Sequence, residues 1–104
     1  MGAVNNLDSL GQDEDIKRAA WSLKALSHPI RLKILQSLGS QEISVQDIVE
    51  LVGTTQSNVS QHLAILRENG ILTSRKNANR VYYRVGDPRT LRIIRMMRDV
   101  LSDQ

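Results

Sequence analysis

Beyond residue 12 the apolar positions repeat with the period of a helix through four segments, switch to a strand-like pattern, and then return to a helix. Ile16, Ala19, Ala20, Leu23 and Leu26 recur at helical spacing behind Asp13, Glu14 and Asp15, whose negative charge suits a helix N-terminus, so a first helix is expected over about 13 to 26. Ser27, His28 and Pro29 interrupt it. Proline lacks a backbone donor yet fits the first turn of a new helix, which starts a second helix with apolar positions Ile30, Ile34, Leu35 and Leu38. Gly39 is expected to end that helix in the left-handed conformation that glycine adopts cheaply.

Ser44 stands three residues before Asp47 and ahead of Ile48, Val49, Leu51 and Val52, a capping-box-like start for a third helix that Gly53 ends. Thr54 or Thr55 can cap a fourth helix, with a stripe of Val59, Leu63 and Leu66 broadened by Ile65, up to Gly70. The turn between helices three and four is then only about three residues long. Two short amphipathic helices joined so tightly are the mark of a helix-turn-helix.

After Gly70 the stretches Ile71 to Lys76 and Arg80 to Val85 favour strands, with a turn at Asn77, Ala78 and Asn79 between them. Asp87 and Pro88 then cap and open a fifth helix. Its Leu91, Ile93, Ile94, Met96, Met97, Val100 and Leu101 are more apolar surface than packing against one subunit uses. The expected class is therefore mainly α with a small β-hairpin. Residues 1–12 read as a tail and 13–104 as one folded domain.

Composition narrows this picture. With 40% apolar and 24% charged residues the chain is of ordinary globular character, but aromatics make up only 3%, so the core must be aliphatic. A lone subunit built that way is thinly stabilised, and a second copy can supply the missing burial. The absence of cysteine removes disulfides, thiolate metal sites and thiol switches. No apolar run approaches the roughly 20 residues of a membrane-spanning helix, and the opening stretch is not that of a signal peptide, so the cytoplasm is the default compartment.

Charge is unevenly spread. Residues 75–104 hold eight Arg or Lys against three Asp, whereas residues 41–74 hold one Arg against four acidic side chains. A basic C-terminal third suits a polyanion, and equally a solvated face.

Gln56, Ser57, Asn58, Ser60 and Gln61 fall on the polar side of the fourth helix near its N-terminus, with His62 beside them. Gln and Asn can pair with adenine edges in a major groove, and Ser hydroxyls with free helix N–H groups can hold phosphates. Any exposed helix face is polar, but one placed second in a tight helix-turn-helix and followed by a basic hairpin points to double-stranded DNA. Arg75, Lys76, Asn79 and Arg80 are the hairpin's candidates for phosphate or minor-groove contact. The same charges also protect an exposed strand edge from aggregation.

The stretches Leu26-Ser27-His28-Pro29-Ile30-Arg31-Leu32-Lys33-Ile34-Leu35, Gln56 to Leu66, and Arg80-Val81-Tyr82-Tyr83-Arg84-Val85 resemble the signature segments of the ArsR/SmtB family of bacterial winged-helix repressors, over about residues 16 to 101. The resemblance implies a winged helix-turn-helix of five helices with the β-hairpin wing between the fourth and fifth. It also implies a fourth helix that reads a near-palindromic operator, and a homodimer made by the first and last helices. Ile16, Ala20, Leu23, Leu91, Ile94, Met97 and Leu101 are the expected interface residues.

The metal sites of that family are not matched. Where its arsenic and cadmium sensors carry Cys-Val-Cys, this chain has Ser44-Val45-Gln46, and where its zinc sensors pair Asp with His it has Asp87 and Arg89, with Val100 and Asp103 near the later ligand positions. The two histidines lack helical ligand spacing to a second His or a carboxylate pair: His28 is expected to cap the second helix, and His62 to pack or touch DNA backbone. Trp21 is expected as a core or interface anchor, and Arg95 and Asp99 as an i,i+4 pair beside Arg89, Arg92 and Arg98 on a solvated face. No cofactor and no metal are expected. No nucleophile with its base, metal cluster or phosphate loop is recognisable, so the expected role is regulation and not catalysis. The effector is open among an organic molecule, an anion, a protein or none. The competing readings are a protein-interaction module with an incidental basic wing, and an RNA-binding or architectural protein without site specificity.

Overall fold

The computed structural model describes residues 13–102, so the expected N-terminal tail lies outside the described residues. In chain order the elements are α1 (Asp13–Leu26), α2 (Pro29–Leu38), β1 (Ile43–Ser44), α3 (Val45–Val52), α4 (Gln56–Glu68), β2 (Leu72–Asn77), β3 (Arg80–Val85) and α5 (Pro88–Leu101). Four of the five helices start on a side-chain cap. The His28 Nδ1 accepts from Ile30 N at 3.1 Å, and Ser44 Oγ accepts from Asp47 N at 3.3 Å. Thr55 Oγ1 accepts from Asn58 N at 3.1 Å, and Asp87 Oδ1 accepts from Arg89 N at 2.9 Å. Each satisfies an N–H that the first helical turn cannot pair internally.

The strands form one antiparallel sheet in the order β1-β3-β2. The two-residue strand β1 is absent from the sequence reading, because Ile43 and Ser44 are too short a run to show a period. It exists through its pairing with Tyr83 and Tyr82 of β3. Ser44 thus serves twice, as a strand residue and as the α3 cap, and its side chain is buried in doing so. The hairpin closes from Asn77 to Arg80 through Ala78 and Asn79, one residue later along β2 than expected. Positive φ falls on Ala78, at +56°, and not on an asparagine.

Two helix ends differ from one another in an instructive way. Gly53 closes α3 at φ 83° and ψ 27°, in the left-handed helical region, with its N–H on Val49 O. Gly39 also has positive φ, 53°, but ψ is −129°, outside the left-handed helical region expected for it. The segment after α2 must turn toward β1 instead of entering another helix directly, and that ψ extends it.

The core lies where α2, α3, α4 and the sheet meet. Ile34, Leu35, Leu38, Ile48, Val59, Leu63, Leu66 and Leu72 are all but fully buried, and Tyr83 is the one aromatic among the core residues. Lys33 Nζ donates to Val52 O at 3.3 Å, placing a cation at the negative end of the α3 dipole and fixing α2 to the start of the turn. Gly53, Thr54 and Thr55 are all that separate α3 from α4, so the tight connection expected from the sequence is present. The terminal helices stand apart from this core. In α1 only Ala25 and Leu26 are buried, and in α5 only Leu91 and Ile94.

Candidate nucleic-acid interface

The burial of Val59 and Leu63 fixes how α4 is rotated, and that rotation turns Gln56, Ser57, Ser60 and Gln61 to solvent on one side of its first two turns. The two other polar residues expected to probe DNA are partly used within the subunit. Asn58 is half-buried, and its Nδ2 donates to Thr54 Oγ1 at 3.3 Å, closing the turn before α4. His62 is half-buried, with Nδ1 3.3 Å from Arg31 and its ring centroid 4.3 Å from that of His28. The two contacts of His62 are not visible in helical spacing, because Arg31 and His28 are far from it in the chain, whereas Thr54 stands only four positions before Asn58.

Strand β2 packs against α4, so the wing projects from the same part of the molecule. Lys76, Asn79 and Arg80 are exposed at its tip, and Lys76 and Arg80 take part in no ion pair among the described residues. Arg75 departs from the expectation of four free tip residues. Its Nε donates to Glu42 Oε2 at 2.8 Å, its second nitrogen lies 2.7 Å from Oε1, and its guanidinium sits 4.9 Å from the centre of the Tyr82 ring. The bond to Arg75 holds the Glu42 carboxyl below its usual range. Arg75 is therefore a brace between the wing and the segment before β1, with its charge already matched.

At the other end of the sheet Asp87 caps α5 and also binds the Arg89 side chain, Oδ2 to NH2 at 2.7 Å and to Nε at 3.0 Å. The Arg89 side-chain bonds, followed by its backbone N–H, lower the Asp87 carboxyl to about 2. The pair that stands where zinc sensors have ligands is thus an ion pair on a helix cap. Among the described residues no three His, Cys, Asp or Glu side chains converge on a point. The expected Arg95–Asp99 pair is not among the ion pairs of the described residues.

Among the described residues nine large apolar side chains are exposed, and all but Leu51 lie on α1 or α5. They include the expected Ile16, Leu23, Met97 and Leu101, and Ala20 is exposed on the same helix as the first two. Leu91 and Ile94 were expected there too, but both are buried in their own subunit, at 8% and 6% exposure, and pack against the core. In their place α5 presents Ile93, Met96 and Val100, and α1 presents Trp21, 64% exposed and so no part of the core. Ile93, Met96, Met97 and Val100 share one face of α5 and Leu91 lies opposite it, but Ile94 stands seven residues from the exposed Leu101, on the same side of the helix, so helical phase alone does not tell the residues that meet the core from those that are exposed. A cleft of about 420 Å³, bordered by Leu23, Leu26, Leu32 and Met97, continues this apolar surface between the terminal helices and α2.

Residues 28–74, which span the helix-turn-helix and the start of the wing, match the family described as bacterial regulatory protein, arsR family. A biofilm growth-associated repressor of Xylella fastidiosa is 31% identical over 103 residues, covering 96% of this chain and 90% of that protein. The chain belongs to the ArsR family. ArsR-family proteins are regulators, and the family is not one of enzymes. Two solved structures share the whole winged helix-turn-helix. HlyU from Vibrio cholerae is 31% identical, with a TM-score of 0.79 over 88% of this chain and 99% of that one. A domain of Mb0332 from Mycobacterium bovis, described as a homodimeric winged helix-turn-helix DNA-binding domain, is 26% identical, with a TM-score of 0.78 over 89% of each chain. Among the described residues, no helix of this ArsR-family chain is long and apolar enough to cross a membrane.

Proposed function

We propose that the protein is a sequence-specific transcriptional repressor that binds double-stranded DNA as a homodimer and acts in the cytoplasm without catalytic activity. The observation that carries this reading is the exposed polar face of α4, Gln56, Ser57, Ser60 and Gln61, set second in a tight helix-turn-helix beside a wing tip with unpaired Lys76 and Arg80. Two copies joined through α1 and α5 would bury the apolar faces of those helices, chiefly Ile16, Trp21, Leu23, Met96, Met97 and Leu101. Their α4 helices then enter successive major grooves of a near-palindromic operator, with half-site centres about 34 Å apart. Gln61 and Gln56 read base edges, Ser57, Ser60 and the wing hold phosphates, and Asn58 keeps the N-terminus of α4 in shape for both. Release from the operator follows a signal that does not act through a thiolate, since the chain has no cysteine.

The test is selection of bound duplexes from a random-sequence library, followed by an anisotropy titration of the recovered duplex against salt. If each subunit neutralises roughly three to five phosphates, the log-log slope is about −5 to −9. Failure to enrich any sequence, or a slope near zero, removes the proposal.

A further inference from the structure

The chain has two histidines, 34 positions apart in sequence, and the fold brings both to one point between α2 and α4. Their hydrogen bonds fix their chemical form. His28 Nδ1 accepts the Ile30 N–H that caps α2, so that nitrogen carries a lone pair. His62 Nδ1 faces Arg31 NH1 at 3.3 Å, and a guanidinium only donates, so this nitrogen carries a lone pair as well. In both rings Nδ1 is thus the accepting nitrogen, which leaves Nε2 to bear the hydrogen. Arg31 also donates from Nε to the carbonyl of Ala25 in the last turn of α1. One guanidinium thus ties the end of a helix with an apolar exposed face to the middle of the helix with the polar exposed face.

Adding a proton at His62 Nδ1 removes the acceptor that faces Arg31, and it sets a new positive charge beside that guanidinium. The charged and titratable groups that act on His62 are His28 from the α1–α2 connection and Arg31 from α2, with Lys24 of α1 lining the same cleft as Arg31. None of these neighbours is acidic. Burial first, then His28 and Arg31, hold the His62 imidazole below its ordinary value of 6.5.

We propose that Arg31, His28 and His62 form a clamp that sets the orientation of α4 against α1 and α2, and that adding a proton to His62 loosens it, so that mild acid reduces discrimination between operator and other DNA. His62 is on this view a positioning residue and not a direct contact to the DNA backbone. The inference rests on the DNA-binding role proposed above for α4.

The experiment compares two fluorescent duplexes, the one recovered by selection with the wild-type protein at pH 7.5 and a scrambled version of it, at pH 7.5 and 5.5. The affinity ratio between them is the readout, because a general gain in positive charge raises both affinities and cancels. The wild-type ratio is expected to fall at low pH by up to about tenfold for each subunit engaged, the ceiling set by a single imidazole of ordinary value 6.5. In His62→Asn, whose Oδ1 occupies the place of Nδ1 and can accept from Arg31 without titrating, the ratio is expected to change less with pH than in the wild type. Circular dichroism checks that the variant is folded, and the wild-type profile stands without it. A wild-type ratio that is constant or rises at pH 5.5 overturns the proposal, as does a folded His62→Asn that follows the wild-type profile. If selection recovers no duplex at all, it is the DNA-binding reading that fails.

Discussion

At the scale of single residues, the wing shows where local chemistry and sequence pattern part. The turn needs a positive φ at its first central residue, and alanine supplies it at +56°. An L-residue with a Cβ in left-handed space costs about 1–2 kcal/mol, and glycine's extra freedom in the unfolded chain returns about 0.4–1 kcal/mol of that. Ala78→Gly is accordingly expected to stabilise the protein by about 0.5 kcal/mol in urea unfolding. Gln61 and Arg80 are separable in the same way. Loss of a base-edge contact in Gln61→Ala is expected to cost about 1–3 kcal/mol against the selected duplex and little against a scrambled one. Arg80→Ala is expected to weaken binding to both alike and to make the salt slope shallower by about 1 for each subunit. The exposed residues of α4 were legible in the sequence because helical phase alone assigns them a face. The fate of Arg75 was not, since its partner Glu42 lies 33 positions earlier and no period relates the two.

At the scale of elements, caps carried most of the legible information. His28, Ser44, Thr55 and Asp87 all stand where their residue types suggested, because a cap depends on neighbours two or three positions away. Ser44 is the most exacting of them: it is the one buried cap of the four, and Ser44→Ala leaves the Asp47 N–H without its side-chain acceptor. A cost of about 1 kcal/mol is expected in the same unfolding assay. Asp87 carries a pH signature. Its carboxyl is lowered from 3.8 to about 2, so its contribution is complete above 3.8 and is lost as the pH falls through about 2. Acid unfolding followed by circular dichroism should show that loss in the wild type, and Asp87→Asn should lack it. The strand β1 and the inward faces of Leu91 and Ile94 could not be read in this way. A two-residue strand has no period, and a helix with apolar residues around much of its circumference does not announce which of them meet its own core.

At the scale of the whole molecule, stability and function converge on the terminal helices. A core almost without aromatics is matched by an apolar surface confined almost entirely to α1 and α5, so the surplus read in the sequence corresponds to real exposed area. In the proposed dimer, joining two subunits there would remove that area from water and set the distance between two α4 helices. The Arg31–His62 contact is a direct polar route by which the state of one helix reaches the other. Dimerisation and DNA recognition are on this account one property. The mass of the complex with the selected duplex, measured by sedimentation equilibrium at low salt, addresses it most directly. The account predicts two 11.7 kDa chains on each near-palindromic duplex, with no population carrying one chain at sub-saturating protein. A stable complex of a single chain on that duplex, or a protein that dimerises and still leaves the duplex unbound, would contradict it.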